Sequence, residues 1–94
     1  MAHRIAWSQR ALLDLEAIAS YIAEDSPAYA STVVRTILNQ VKTLIHFPRS
    51  GRKVPEFDDE DIRELIAYSY RVIYQLQQEE VLIAAVIHGK RILL

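Results

Sequence analysis

The sequence predicts an α+β fold, in which a helical hairpin packs on a twisted antiparallel sheet in the order β-α-α-β-β-β. Tyr70–Leu76 alternates apolar and polar residues with the period of two that is typical of a strand. Residues 81–87 are apolar throughout, as in a strand buried on both faces. Two stretches before residue 47 carry apolar residues at helical spacing. Helices that precede a run of strands favour the α+β class.

The first strand and the first helix are predicted at the start of the chain. A strand is expected over residues 3–7, because Ile5 and Trp7 fall on one face. Ser8 offers a hydroxyl that can cap the following helix, which is expected over residues 9–24.

A second helix follows a short break. Ser26 can cap it, and Pro27 fits the first helical position, where no N–H is needed. The helix is expected to end near His46, since Pro48 follows. So short a connection predicts that the two helices pack as an antiparallel hairpin.

The second half of the chain predicts a loop and three strands. Residues 48–55 have a loop composition, and the acidic run 56–61 is expected to be solvated. Ile62–Ala67 forms a strand, and the polar residues 77–80 join the last two strands as a hairpin. These three strands predict an antiparallel meander that the helices cover on one face.

The candidate functional site is a cationic edge of this sheet. Arg71 lies early in the middle strand, and His88 ends its antiparallel partner, so we expect both at the same edge. Lys90 and Arg91 extend that edge. Pairing of the last two strands is therefore predicted to gather the positive side chains into one rim.

Structural roles for the same residues remain open. Arg71 can be a solvent-facing strand residue paired with Glu64 or Glu80. His88 can be a neutral histidine hydrogen-bonded at a strand end. Arg52 can tie the loop to the acidic run, and the terminal cations can serve solubility.

Length and composition limit the function classes. A chain of 94 residues predicts one domain, residues 1–94. The net charge of −1 argues mildly against binding nucleic acid through phosphates. The chain has no cysteine, no signal-peptide core and no apolar run long enough to cross a membrane, which fits the cytoplasm. The three histidines are scattered, so we expect neither a metal site nor a cofactor.

Four short motifs occur in one order between Ile5 and Arg91. The first is a Ser-x-x-Ala-x-x-Asp-Leu helix opening at Ser8, Ala11, Asp14 and Leu15, with Tyr21 and Ile22 at the end of that helix. The second is a Phe-Pro-x-x-Gly-Arg turn at Phe47, Pro48, Gly51 and Arg52. The third is Arg63 followed by a Tyr-Arg-Val-Ile-Tyr strand, and the fourth is Val-Ile-His-Gly-Lys-Arg at residues 86–91. Each motif is weak alone, but their order and spacing make the match fairly specific. In these motifs the sequence resembles the RelE/ParE superfamily of toxins from bacterial toxin–antitoxin modules.

The resemblance implies a compact α+β toxin that a small antitoxin neutralises with its C-terminal segment. It also implies one of two targets. ParE-like members poison DNA gyrase, whereas RelE-like members enter the ribosome and cleave mRNA. Plasmid stabilisation is a further property that the family implies.

The RelE-like branch would use Glu56, Arg71 and His88 as catalytic residues, by their match in sequence order. The tyrosine that some RelE-like toxins carry after the histidine is Gly89 here, and their lysine cluster is reduced to Lys53. These departures favour the ParE-like branch, a gyrase poison that is not a nuclease.

The resemblance also suggests which residues contact the partner. Antitoxin tails are typically acidic and amphipathic, which suits a cationic edge beside an exposed sheet. The candidate contacts with antitoxin or target are Arg52, Arg63, Arg71, Lys90 and Arg91. A metal-independent endoribonuclease and a non-toxic relic that only binds antitoxin remain as alternatives.

Overall fold

A five-stranded sheet with two helices on one face makes up the computed structural model, which describes residues 3–91. This architecture confirms the predicted α+β class and the order of its main elements. The elements are β1 (Arg4–Trp7), α1 (Gln9–Ala23), α2 (Pro27–Thr43), β2 (Arg52–Lys53), β3 (Ile62–Ala67), β4 (Tyr70–Leu76) and β5 (Glu80–His88).

The sheet has the strand order β1-β5-β4-β3-β2 and differs from the prediction in two respects. β3, β4 and β5 form the expected antiparallel meander, but β1 pairs parallel to β5, so the sheet is mixed. The predicted loop 48–55 also contains a two-residue strand, β2, which pairs with the edge of β3. An ion pair between Arg52 and Glu64 spans this pairing and holds the short strand in place.

The first turn of α1 is fastened to β5 by side chains of the helix-opening motif. The Ser8 hydroxyl accepts a hydrogen bond from the Ala11 N–H at 3.0 Å and donates one to the Ala84 carbonyl at 3.0 Å. Ala11 is fully buried against the sheet. One turn further on, Asp14 accepts a hydrogen bond from the Val86 N–H at 2.9 Å. The motif therefore caps a helix and also occupies polar groups on the β5 edge beyond the end of β1.

The second helix begins as predicted and ends slightly earlier. Ser26 accepts a hydrogen bond from the Tyr29 N–H at 3.1 Å, and Pro27 is the first helical residue. The helix ends at Thr43, and residues 44–46 form a turn instead of the last helical residues. α1 likewise ends at Ala23, one residue before the predicted limit.

Apolar side chains form one cluster on each face of the sheet. The larger cluster lies under the helices and includes Ile37, Val72 and Tyr74. The smaller cluster lies on the other face, where Val54 from the loop after β2 packs with Ile73. This second face, called the open face below, is therefore partly covered by the 54–61 segment.

A β-bulge in β5 changes which residues face the helices. Ile73 lies opposite Ala85, whereas Tyr74 lies opposite Ile83, so Ala84 is an extra residue in β5. Before the bulge, Val81 and Ile83 belong to the helix-side cluster; after it, Val86 does. A one-residue shift moves every later side chain of a strand to the opposite face. His88 consequently shares the helix side with Val86, and Ile87 lies on the open face.

The buried stripe of α2 should supply much of the stability. Ile37→Ala should lower the free energy of unfolding by about 2–5 kcal/mol, because Ile37 is fully buried in the helix-side cluster. Leu12→Ala is the control, since Leu12 is 48% exposed on α1 and should cost less than about 1 kcal/mol. Urea unfolding followed by circular dichroism measures both. Equal losses would contradict the assigned helix faces.

Candidate functional site

Arg71 is the centre of a charged network on the open face of β4. Its side chain is buried, with 5% of the residue exposed. Nε donates to Glu64 Oε1 at 2.7 Å, and the two terminal nitrogens donate to the two oxygens of Glu56, each at 2.7 Å. Nη1 also donates to the Arg91 carbonyl at 3.0 Å. One guanidinium thus joins the sheet, the 54–61 segment and the end of β5.

Glu64 extends the network to the edge of the sheet. Its carboxylate is fully buried, and its second oxygen accepts from Arg52 Nε at 2.6 Å. The side chains therefore alternate in charge in the order Arg52, Glu64, Arg71, Glu56. The hydrogen bonds to Glu56 and then to Glu64 raise the pKa of Arg71 despite its desolvation by burial, so the cation is firmly held.

The proposed pairing of Arg71 with Glu64 is confirmed, but Arg71 is not solvent-facing. Glu80 instead approaches Arg4, with 3.7 Å between the charged atoms. The proposal that Arg52 ties the loop to the acidic run is wrong, because Arg52 pairs with Glu64. Lys53 contacts the acidic run instead, with its Nζ 3.2 Å from Asp58 Oδ1.

His88 lies on the opposite face of the sheet from Arg71. It is directly opposite Tyr70 in the β4–β5 pairing, with the two rings edge to face at 5.9 Å between centroids. Its Nδ1 accepts a hydrogen bond from the Lys90 N–H at 3.2 Å. The prediction of a single rim containing both Arg71 and His88 is therefore wrong. The reason is the extra residue Ala84, which reverses the face of every later side chain in β5.

Arg63 also lies away from the open face. It is opposite Tyr74 in the β3–β4 pairing, and its side chain is only 14% exposed. Its nitrogens donate to the Gly51 carbonyl and the Glu60 carbonyl, each at 2.9 Å. These contacts brace the two ends of the 51–60 segment.

The remaining predicted cations surround a cleft beside Arg71. Lys90 and Arg91 are exposed, and the side chain of Arg52 is 62% exposed although its Nε pairs with Glu64. Together with Pro55, Glu56, Arg71 and Gly89 they line a cleft of about 390 Å³. Three of the five predicted contact residues therefore present charge around one opening, and Arg71 lies beneath them.

The predicted catalytic set is only partly assembled. Glu56 and Arg71 are in direct contact, whereas His88 is separated from both by the sheet. General acid–base catalysis requires groups within hydrogen-bond reach of the same reacting atoms.

The sequence analysis assigned no site role to Glu64. The signal that was available is its position in β3, two residues from Ile62 and two from Ile66, which places its carboxylate on the same face as apolar neighbours.

Tyr74 anchors the loop that delivers Arg52 to Glu64. Its hydroxyl accepts from the Gly51 N–H at 3.0 Å and donates to the Pro48 carbonyl at 2.8 Å. A Cβ on Gly51 would lie 2.5 Å from this hydroxyl oxygen and 2.6 Å from the Glu64 carbonyl oxygen, so only glycine fits. Burial raises the pKa of Tyr74, which keeps the phenol protonated and able to donate.

Within residues 3–91 the structure has neither a metal-binding cluster nor a helix that could span a membrane. No cluster of three or more histidine, aspartate or glutamate side chains is arranged to hold a metal ion in that range. Neither helix of the described chain has the length and hydropathy to cross a membrane.

Two solved structures share this fold. A chain of the chromosomal ParDE TA system from P. aeruginosa superposes with a TM-score of 0.77 at 23% identity, covering 95% of this chain and 98% of that one. A double arginine-to-alanine mutant of the E. coli toxin RelE, in the free state, gives 0.69 at 20% identity, covering 96% and 86%. At these identities the likeness concerns the fold alone.

Sequence comparison gives the family. The model of the ParE toxin of the type II toxin–antitoxin system parDE matches residues 5–93. A curated protein of Sinorhizobium fredii, named "Putative toxin Y4kP", is 45% identical over 49 residues, which are 52% of this chain and 51% of that protein. This chain thus matches about half the length of that relative. It belongs to the ParE toxin family.

Arg71 should stabilise the fold whether or not a ligand is bound. Arg71→Met should lower the free energy of unfolding by about 3–5 kcal/mol, because it removes one of two partners from the buried Glu64 carboxylate. The control Arg49→Met removes one partner of an exposed ion pair with Asp61 and should cost less than about 1 kcal/mol. Chemical denaturation measures both, and a loss below about 1 kcal/mol for Arg71→Met would contradict the structural role.

Ionisation of Tyr74 should lower the stability of the fold at alkaline pH. Because its pKa is raised in the folded state, its contribution is complete below the ordinary tyrosine pKa of about 10 and is lost as the pH rises through the folded-state pKa. Tyr74→Phe should cost about 1–3 kcal/mol at neutral pH, since the Gly51 N–H and the Pro48 carbonyl lose their partner. The urea midpoint of the wild type should then fall more steeply above about pH 10 than that of the variant. Parallel midpoints would contradict this assignment.

Proposed function

We propose that this member of the ParE toxin family arrests growth by poisoning DNA gyrase in the cytoplasm and that a cognate antitoxin neutralises it. The family match over residues 5–93 is the observation that carries the proposal. The geometry of the site supports a binding role over catalysis, because His88 lies across the sheet from Arg71 and Glu56. A module of this kind can serve plasmid stabilisation.

The antitoxin contact in this proposal is the cleft above Arg71. Arg52, Lys90 and Arg91 line it and give it a positive rim. Beside it, Ile66 on β3 is 49% exposed on the same face, which offers apolar surface next to charge. An acidic, amphipathic tail matches both properties.

A second candidate function is ribosome-dependent mRNA cleavage. The contact of Glu56 with Arg71 in an open cleft favours it, because a carboxylate beside a cation is one part of a metal-independent ribonuclease site. It requires His88 or another acid to reach the same phosphate, and the β5 bulge places His88 on the other face.

Controlled expression separates these functions. We expect growth arrest with a DNA-damage response and intact mRNA, together with loss of supercoiling activity when purified gyrase is mixed with this protein. Cuts in mRNA at codon intervals with unaffected supercoiling would transfer the assignment to the ribonuclease. Harmless expression in the absence of any antitoxin would indicate a relic that only binds antitoxin.

Charge reversal around the cleft should weaken neutralisation. The double variant Lys90→Glu and Arg91→Glu should bind the antitoxin from the neighbouring reading frame at least about tenfold more weakly, because two attractive charges become repulsive. The Arg71 contact is retained, since it uses the Arg91 carbonyl.

The matched control is the double variant Arg4→Glu and Arg49→Glu, which changes two exposed arginines that do not line the cleft. It should keep the wild-type affinity in isothermal titration calorimetry. Equal weakening in both variants would point to net charge as the cause and remove the cleft from the proposal.

A further inference from the structure

A cavity lies at the end of the sheet opposite the cleft above Arg71. It has a volume of about 810 Å³, within the range that is usual for small-molecule sites. Leu76, the last residue of β4, lies in its wall, whereas Arg71 is the second residue of that strand. The span between these two strand positions is about 17 Å. The cavity is therefore a separate site, and it shares no lining residue with the cleft.

Part of the wall of this cavity is apolar. Phe47 and Pro48 come from the turn after α2, and Leu76 comes from the end of β4. Phe47 is 66% exposed, so its ring is available for a further contact. An exposed aromatic ring beside two aliphatic side chains suits a flat ring system that can stack on it.

One guanidinium and one carboxylate lie side by side in the wall. Arg49 Nη2 is 3.6 Å from Asp61 Oδ1, which is beyond the length of a good hydrogen bond. Both side chains are more than half exposed, and within residues 3–91 neither of them forms a hydrogen bond. The pair therefore offers several N–H donors next to two carboxylate acceptors.

The wall also contains polar side chains that the described chain does not use. Those of Gln77 and Gln78 form no hydrogen bond with any residue in the range 3–91. His3 lines the cavity as well, and its Nδ1 is shielded from solvent without a hydrogen-bond partner in that range. Shielded polar atoms in folded proteins almost always have a partner. An unpaired nitrogen at a cavity wall is therefore an independent indication of a polar ligand.

We propose that this cavity binds a free guanine nucleoside or nucleotide through its base. The Watson–Crick edge of guanine carries two neighbouring donors, N1–H and the N2 amino group, beside the O6 acceptor. Asp61 accepts from both donors and Arg49 donates to O6, so one neutral base satisfies both charges. The purine ring stacks on Phe47. The site does not depend on the gyrase proposal, because it lies at the other end of the sheet from the cleft.

Other occupants match the pair of charges less well. Adenine has an amino donor beside a ring nitrogen that only accepts, so a carboxylate gains one hydrogen bond from that edge and the guanidinium finds no O6. A nucleic-acid strand is the less suitable source of guanine. Arg49 is the one lysine or arginine among the described residues that line the cavity, whereas binding of a strand relies on several cations that contact phosphates. The charge of the wall therefore favours a free nucleoside or nucleotide.

Neutral nucleosides test recognition of the base without a contribution from phosphate. In isothermal titration calorimetry of the full chain, guanosine should bind saturably and about tenfold more tightly than inosine, which lacks the N2 amino group. Adenosine should bind no more tightly than inosine. Absence of saturable guanosine binding up to about 1 mM, or equal affinity for the three nucleosides, would overturn the proposal. A guanine-containing single strand that binds more than about tenfold more tightly than guanosine would assign the site to nucleic acid and overturn it as well.

Substitution of Asp61 tests the contact with the N2 amino group separately from folding. Asp61→Asn should weaken guanosine binding at least about tenfold and should reduce the preference for guanosine over inosine to less than about twofold, because an amide cannot accept from both donors. The control Asp58→Asn makes the same change at an exposed carboxylate outside the cavity and should bind as the wild type does. An unchanged preference for guanosine over inosine in Asp61→Asn would contradict the assignment.

Substitution of Arg49 tests the contact with O6. Arg49→Met should weaken guanosine and inosine by the same factor, about tenfold, because both nucleosides carry O6. The control Arg4→Met removes an exposed arginine that does not line the cavity and should leave both affinities unchanged. Wild-type affinity for guanosine in Arg49→Met, or the same loss in both variants, would overturn the proposal.

Discussion

The buried carboxylate of Glu64, held between Arg71 and Arg52, is the interaction on which the open face depends. Through Arg52 it fixes the short strand β2, and through Arg71 it reaches the 54–61 segment at Glu56 and the end of β5 at the Arg91 carbonyl. No backbone ladder joins these three segments to one another directly within the described chain. A carboxylate without solvent requires compensation by charge and hydrogen bonds, and here two guanidinium groups provide it. The side chains that first suggest a ligand site are therefore part of the frame of the molecule.

The main elements were predictable because their signals are local. The caps Ser8 and Ser26, the position of Pro27 and the period-two pattern of β4 depend on residues near one another, and the structure confirms them. Parallel pairing of β1 and the formation of β2 depend on contacts with distant strands. Residues 81–87 carry no polar residue to report which face each side chain takes, so the pattern could not reveal an extra residue within the run. For that reason the sequence predicted correctly that Arg71 and His88 lie at the same end of the sheet, but it did not predict that they lie on opposite faces.

Positive charge is distributed differently from what residue counts suggest. Of the five cations predicted to form a contact surface, Arg71 and Arg63 are nearly enclosed by their own partners, and Arg52 is half engaged. Two cations on α2 that the sequence analysis did not select, Arg35 and Lys42, have no partner in the described range. Counting lysines and arginines cannot separate these groups, because pairing depends on register. Residues three or four apart in one helix, such as Arg10 and Asp14, are the exception.

The extra residue in β5 has a genetic consequence. Substitution at Ala84 alters only one small side chain. The hydrogen bond from the Ser8 hydroxyl goes to the backbone carbonyl of Ala84 and does not involve the methyl group. Loss of the Ala84 codon without a frameshift would instead remove the bulge and leave a regular ladder, with Val86 still on the helix side and Ile87 still on the open face. An in-frame deletion of this codon should therefore preserve both apolar clusters, although it would remove the carbonyl that accepts from the Ser8 hydroxyl.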